Sequence, residues 1–332
     1  MITGKFPNLR LRRSRKYDWS RRLIQESTLS SSDFILPIFL IEGKNKIQPV
    51  KSMPGVYRYT IDKLGTIVTK AIKKKIPMVA LFPFTKKINK DEIGSEALNN
   101  DNLVCKAIRY IKKKYSNQIG IMCDSALDPY TSHGHDGLIK SSYVLNDETV
   151  KVLIEQSIMQ AEMGCDVIAP SDMMDGRVGE IRKALDINNH KMVQILSYAV
   201  KYASSFYGPF REAVGSKKNL KGNKKNYQMD YKNSNEALRE VALDIKEGAD
   251  MVMVKPGLLY LDIIKQINDY FKIPVLAYQV SGEYSLIKIG IKNKLITDDA
   301  IIESLTSFKR AGASAIVTYF ALEAADKIKK IN

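Results

Sequence analysis

Eight short apolar runs, rich in β-branched and aromatic residues, recur along the chain, and between them lie longer stretches with the 3.6-residue apolar period of a helix. The runs are 34–41, 78–82, 119–123, 166–169, 197–201, 251–254, 274–277 and 315–319. The helical stretches are 61–74, 103–114, 149–163, 178–187, 236–247, 260–271, 284–294 and 298–310. Strands that alternate with helices pair in parallel, and eight such repeats in 332 residues match a closed (β/α)8 TIM barrel better than an open sheet. The fifth run, 197–201, is the weakest of the eight, because it can also be read as a continuation of the helix before it.

Two segments stand outside this pattern. Residues 1–32 carry an arginine cluster from Arg10 to Arg22, together with Tyr17, Trp19 and the run Ser30, Ser31 and Ser32. No strand or helix periodicity there is long enough to join a core, so this part reads as an extended N-terminal arm before a barrel over 33–332. Residues 215–235 are rich in Gly, Lys, Asn and Ser and too long for an ordinary connection, which marks about 212–235 as a lid or a disordered loop.

Composition narrows the function classes. The chain has 52 Lys and Arg against 36 Asp and Glu, a formal charge of +16, and 45% of its residues are apolar, enough for a substantial core. Such a charge is also the footprint of nucleic-acid binding. Much of the excess, however, sits in lysine runs at helix ends, such as Lys73 to Lys75 and Lys112 to Lys114, where cations suit the helix dipole. The expectation is therefore no nucleic-acid partner. Only three cysteines occur, Cys105, Cys123 and Cys165, too few and too scattered for a disulfide framework or a four-thiolate zinc cluster. No apolar run approaches a membrane span, and the N-terminus lacks the apolar core of a secretory signal, so a cytoplasmic protein with no membrane partner is expected.

In a barrel of this kind chemistry sits at the C-terminal ends of the strands. Here the runs stop at Asp124, at Ser171 and Asp172, at Lys201, at Lys255, at Ser281 and at Tyr319. Two lysines in one barrel mouth are costly to keep charged, and mutual repulsion lowers the pKa of at least one. A neutral amine is a nucleophile, and the chemistry that follows is Schiff-base formation with a carbonyl substrate. A class I aldolase-type lyase normally uses one such lysine, so Lys201 separates that reading from a two-lysine enzyme. A non-enzymatic basic barrel that binds nucleic acid is the remaining alternative.

Five motifs carry a closer likeness: Tyr130-Thr131-Ser132-His133-Gly134-His135-Asp136-Gly137, Ala169-Pro170-Ser171-Asp172-Met173-Met174-Asp175-Gly176-Arg177, Phe206-Tyr207-Gly208-Pro209-Phe210-Arg211, Met253-Val254-Lys255-Pro256-Gly257 and Val280-Ser281-Gly282-Glu283-Tyr284. With these, in this order, the sequence resembles the porphobilinogen synthase (5-aminolevulinate dehydratase) family of lyases. The resemblance implies a TIM barrel whose N-terminal arm embraces a neighbouring subunit, usually in a homo-octamer. It implies condensation of two 5-aminolevulinate molecules to porphobilinogen with loss of two waters, a step of tetrapyrrole and haem biosynthesis. Lys255 and Lys201 would form Schiff bases with the first and second substrate molecules. Ser281 and Tyr319 would hold the first carboxylate, and Arg211, Lys224 and Gln228 the second. Asp124 and Ser171 would orient the amine and assist proton transfer.

The resemblance also raises the question of metals. Where many family members place three zinc-binding cysteines, this chain has Ala126, Asp128 and Asp136. Alanine cannot ligate, so no cysteine-ligated zinc is expected there, and the two carboxylates suit a hard cation such as Mg²⁺, or none. His133 and His135 read as structural or substrate-orienting residues, and Cys123 as core. Finally, Glu240 stands where many bacterial and plant members hold an allosteric Mg²⁺.

Overall fold

The structure, a computed structural model, describes residues 4–216, 220 and 222–331. The barrel strands are β1 (Phe34–Leu40), β2 (Met78–Pro83), β3 (Gly120–Ser125), β4 (Val167–Pro170), β5 (Gln194–Lys201), β6 (Met251–Lys255), β7 (Val275–Gln279) and β8 (Ala315–Thr318). Each pairs in parallel with the next in chain order, and β8 returns to β1 with Ile316 opposite Phe34, closing the barrel. All eight expected strands are therefore present.

The fifth is the longest rather than the least secure. Asn188 caps the preceding helix and Asn189 adopts a left-handed φ of 63°, so the chain turns out of the helix before Gln194. From Ile195 to Lys201 every residue is buried, as expected of a strand covered on both faces.

The outer layer consists of α1 (Ile61–Lys73), α2 (Leu103–Tyr115), α3 (Asn146–Glu162), α4 (Arg177–Ile187), α5 (Asn235–Glu247), α6 (Leu261–Tyr270), α7 (Ser281–Lys292), α8 (Ala300–Ala311) and α9 (Ala321–Ile331). Lys112 to Lys114 do fill the last turn of α2. Absent from the periodicity reading are α9, the short helix Gly208–Ala213, and a hairpin of Ile47–Pro49 with Tyr57–Tyr59 that attaches to β1.

The segment expected as an arm shows local structure that periodicity does not reveal. It contains a short helix, Asp18–Leu23, whose first-turn Asp18 pairs with Arg21 and Arg22. Local charge pairing of this kind supports a single turn or two without the long apolar period that a core helix needs. Phe6, Leu11, Trp19 and Leu23 remain exposed along it. Among the described residues no helix is long and apolar enough to cross a membrane.

Candidate active site

Lys201 and Lys255 are the last residues of β5 and β6, and they are partners in the register of that parallel pair. Partners across a ladder point to the same face, and neighbouring strands lie only about 4.8 Å apart. The two amines are thus directed into one barrel mouth, and both lysines are buried.

Their surroundings differ. Lys255 sits in an aromatic box, with its Nζ 4.9 Å from the ring centre of Tyr198, 4.7 Å from Tyr278, 5.3 Å from Phe210 and 5.6 Å from Tyr207. Burial, followed by the charge of Lys201, brings its pKa from 10.5 down to about 7. A lysine with an ordinary pKa is uncharged in only about one molecule in three thousand at pH 7, whereas here about half are. The strand end itself is pinned, since the Lys255 carbonyl accepts from the Tyr202 N–H at 2.9 Å and from the Tyr207 hydroxyl at 3.1 Å.

Lys201 lies in a polar bay. Its ammonium donates to the Ser171 carbonyl and, at 3.1 Å, to Asp136 Oδ1. The other oxygen, Asp136 Oδ2, receives Lys224 at 2.7 Å and the Tyr227 hydroxyl at 2.7 Å. Burial alone favours the neutral acid at Asp136, but Lys201 and Lys224 outweigh it and hold the carboxyl well below the usual carboxylate range. Lys224 also reaches Asp128 Oδ2 at 3.6 Å. A cation placed between Asp128 and Asp136 would therefore have to displace an ammonium group already there. Among the described residues no group of three or more His, Cys, Asp or Glu side chains is arranged to hold a metal.

Asp124 is half-buried and lines the cavity. Burial raises its carboxyl to about 6, with Lys255, Lys201 and the Ser171 hydroxyl pulling the other way. A carboxyl poised there can both give and take a proton near neutrality. Asp124, Asp128, Ser171, Lys201, Arg211, Lys224, Gln228 and Lys255 all line this one cavity.

The model of the family described as delta-aminolevulinic acid dehydratase matches residues 8–327. The chain belongs to that family. It is 55% identical to the delta-aminolevulinic acid dehydratase of Bradyrhizobium diazoefficiens over 97% of this chain and 91% of that one. It is 47% identical to that of Rhodobacter capsulatus over 99% of each. Among solved structures, the delta-aminolevulinic acid dehydratase (porphobilinogen synthase) of Toxoplasma gondii, in complex with its reaction product porphobilinogen, superposes with a TM-score of 0.94 at 43% identity. That match covers 96% of this chain and 91% of the other.

In this delta-aminolevulinic acid dehydratase family member, Ser281, Tyr319 and Glu240 are among the residues singled out in the sequence that lie apart from the cavity lining. Ser281 opens α7 and is fully buried, its Oγ accepting from the Phe210 N–H at 2.9 Å. Tyr319 follows β8 behind the aromatic box, with its hydroxyl 3.1 Å from that of Tyr278. Glu240 is half-buried on α5 in a second cavity, beside Asn146, Asp175 and Glu236. Of the segment expected as a lid, Lys224 and Gln228 line the cavity and Tyr227 bonds to Asp136, while residues 217–219 and 221 lie outside the described residues.

Sequence reasoning missed Tyr227, which ties this segment to Asp136 and also meets His135 Nδ1 at 3.1 Å. Its partners lie 91 and 92 positions earlier, so no local pattern reveals them. Cys123 belongs to the core, as expected.

Proposed function

We propose that this chain is a porphobilinogen synthase: it condenses two 5-aminolevulinate molecules to the pyrrole porphobilinogen, with loss of two waters, through lysine Schiff bases. The observation that carries the reading is the pair of lysines on one rung of the β5–β6 ladder. A single Schiff base needs only one of them.

Lys255, uncharged in a large fraction of molecules at neutral pH, attacks the ketone of the first substrate. The carbinolamine that forms loses water once its hydroxyl is protonated, leaving the Schiff base. Lys201 engages the second substrate after passing a proton to an acceptor, and Asp124, raised to about 6 and lining the same cavity, is the carboxylate suited to take it. Arg211, Lys224 and Gln228 offer cationic and neutral donors to the second carboxylate from the lid. Ser281 and Tyr319 offer hydroxyls to the first after Phe210 has moved. In a direct test the protein is incubated with 5-aminolevulinate and the pyrrole is detected. The rate is expected to climb as pH rises through about 7, where Lys255 loses its proton. A rate that is flat from pH 6 to 8, or no pyrrole at all, would sink the assignment.

Residues 1–32 act as an arm for subunit association, in a cytoplasmic homo-octamer. The exposed apolar strip from Phe6 to Leu23, set among arginines, supports this role. Glu240 holds a regulatory Mg²⁺. Burial raises its carboxyl against the pull of Arg177, and the charges of Asp244, Asp175 and Glu236 add to the rise, so a divalent cation would relieve local repulsion. The oxygen donors are too dispersed for direct chelation and suit an ion that keeps its waters. Once bound, the ion supplies positive charge and ordered water to this cavity. Gln228 lines both this cavity and the barrel mouth. Added Mg²⁺ should therefore raise the rate and favour the larger assembly, and Glu240→Ala should blunt both effects. Sedimentation and rate measurements after thorough chelation check this, and indifference of wild type to Mg²⁺ would remove the regulatory role.

A further inference from the structure

Glu283, the third residue of α7, is 2% exposed, and its carboxylate faces two different parts of the barrel mouth. Oε2 accepts from the Val280 N–H at 2.8 Å, the bond that a helix-capping carboxylate makes. Oε1 turns the other way and accepts from the Leu258 N–H at 2.8 Å. The neighbouring N–H groups of Gly257 and Leu259 also draw the pKa of the same carboxylate down. Consecutive amides facing one anion form a nest, the backbone shape that ordinarily cradles a bound anion. Here the anion is built into the chain, and the nest is the turn that directly follows Lys255.

The tether has little slack. A Cβ on Gly257 would come within 2.5 Å of the Phe308 ring and 3.0 Å of the Tyr278 carbonyl. A Cβ on Gly282 would come within 2.5 Å of the Phe206 carbonyl. The turn and the start of the helix are thus each pressed against neighbours while the carboxylate spans between them. Other titratable groups that sense Glu283 are the hydroxyls of Tyr207 and Tyr260. Tyr207 also grips the Lys255 carbonyl and forms one wall of the aromatic box.

Burial raises the Glu283 carboxyl from 4.5 to about 7 even against these amide donors, so its charge costs the folded state some stability. The unfolded chain releases this proton at a lower pH than the folded one, so folding stability declines between about pH 4.5 and 7 on its account. A neutral residue would cap the helix at less cost above that window, and the charge instead fixes the turn.

We propose that Glu283 is a positioning residue: its carboxylate templates the turn after Lys255 and fixes the reactive amine relative to the helix start at Ser281. This rests on the Schiff-base reading of Lys255, and it goes further by assigning a function to a residue outside the cavity lining.

The test uses Glu283→Gln and Glu283→Asp in the full chain. Three quantities are compared with wild type: melting temperature, kcat and KM with 5-aminolevulinate, and the pH profile of borohydride trapping at Lys255 by levulinate, a γ-keto acid without the amine. The glutamine variant should melt within a few degrees of wild type at pH 8, and kcat should fall about tenfold to a hundredfold, as expected from a sub-ångström to ångström misplacement of a reacting group. Its trapping midpoint should move upward from about 7 as the amine becomes better solvated. The aspartate variant keeps the charge but retracts it by one methylene, and it should show the same loss of kcat.

Folded variants with the wild-type trapping profile and kcat would overturn the proposal and reduce Glu283 to a helix cap. If glutamine unfolds the chain, the aspartate variant decides in the same way. Wild type that forms no pyrrole, yet traps levulinate at Lys255 in a Glu283-dependent manner, would remove the assigned reaction and leave the positioning role standing.

Discussion

Lys255→Met abolishes pyrrole formation and the borohydride adduct at position 255, and the barrel still folds. The expected loss in turnover is about 10⁵-fold or more, the size seen when a nucleophile that nothing else can replace is removed. Methionine roughly keeps the volume of the lysine stem and suits the four-ring box around it, so packing survives. Stability should equal or exceed that of wild type near neutrality, because the variant no longer buries an amine that resists its charge. The sign follows from the lowered pKa. In wild type the unfolded chain holds this proton up to about pH 10.5 and the folded chain only up to about 7, so stability rises with pH across that interval. The variant should lose that rise. Melting curves at pH 7 and 9.5, with mass spectrometry of the trapped adduct, measure both effects. An adduct on another lysine, with turnover intact, would move the first Schiff base elsewhere.

Asp136→Asn should be the most destabilising single change in the mouth. Asp136 is 1% exposed and receives Lys201, Lys224 and the Tyr227 hydroxyl. Removing the shared carboxylate leaves two buried ammonium groups facing a neutral amide, and breaking a buried pair in this way costs about 3–5 kcal/mol. Turnover should fall together with stability, because Lys201 loses the group that orients it. In wild type the depressed carboxyl contributes its stability at every pH above the usual carboxylate range, and the contribution fades only as pH falls toward the lowered pKa. The variant should instead regain stability as pH rises and its stranded lysines shed their protons. Denaturant unfolding at pH 7 and 9.5 distinguishes the cases, and a loss under about 1 kcal/mol at pH 7 would mean that the pair is already satisfied by water.

The barrel was legible because buried strands are short apolar runs and helices repeat at 3.6 residues, and both patterns survive without tertiary context. Strand ends located Asp124, Ser171, Lys201 and Lys255 for the same reason. Position along a strand does not give register, however. Lys201 and Lys255 become partners only after an irregularity between Val252 and Val254 shifts the β5–β6 pairing, and that shift leaves no mark in the sequence. The hairpin Ile47–Pro49 with Tyr57–Tyr59, three residues to a strand, is too short to show an alternation. The capping geometry of Glu283 lies within the Val280-Ser281-Gly282-Glu283 motif, but its second oxygen meets a turn 25 positions earlier, which only the fold brings near.

The two lysines are the same residue type on one rung, yet one amine lies among four rings and the other against carboxylate and carbonyl oxygens. A catalyst that joins two copies of one molecule has no chemical label by which to tell them apart. The distinction must come from the bays, and a barrel supplies it cheaply, since adjacent strands lead into loops of unrelated composition. Which copy gives up its ketone to which amine is then decided by address and not by recognition, and an unsymmetrical pyrrole can arise from identical halves.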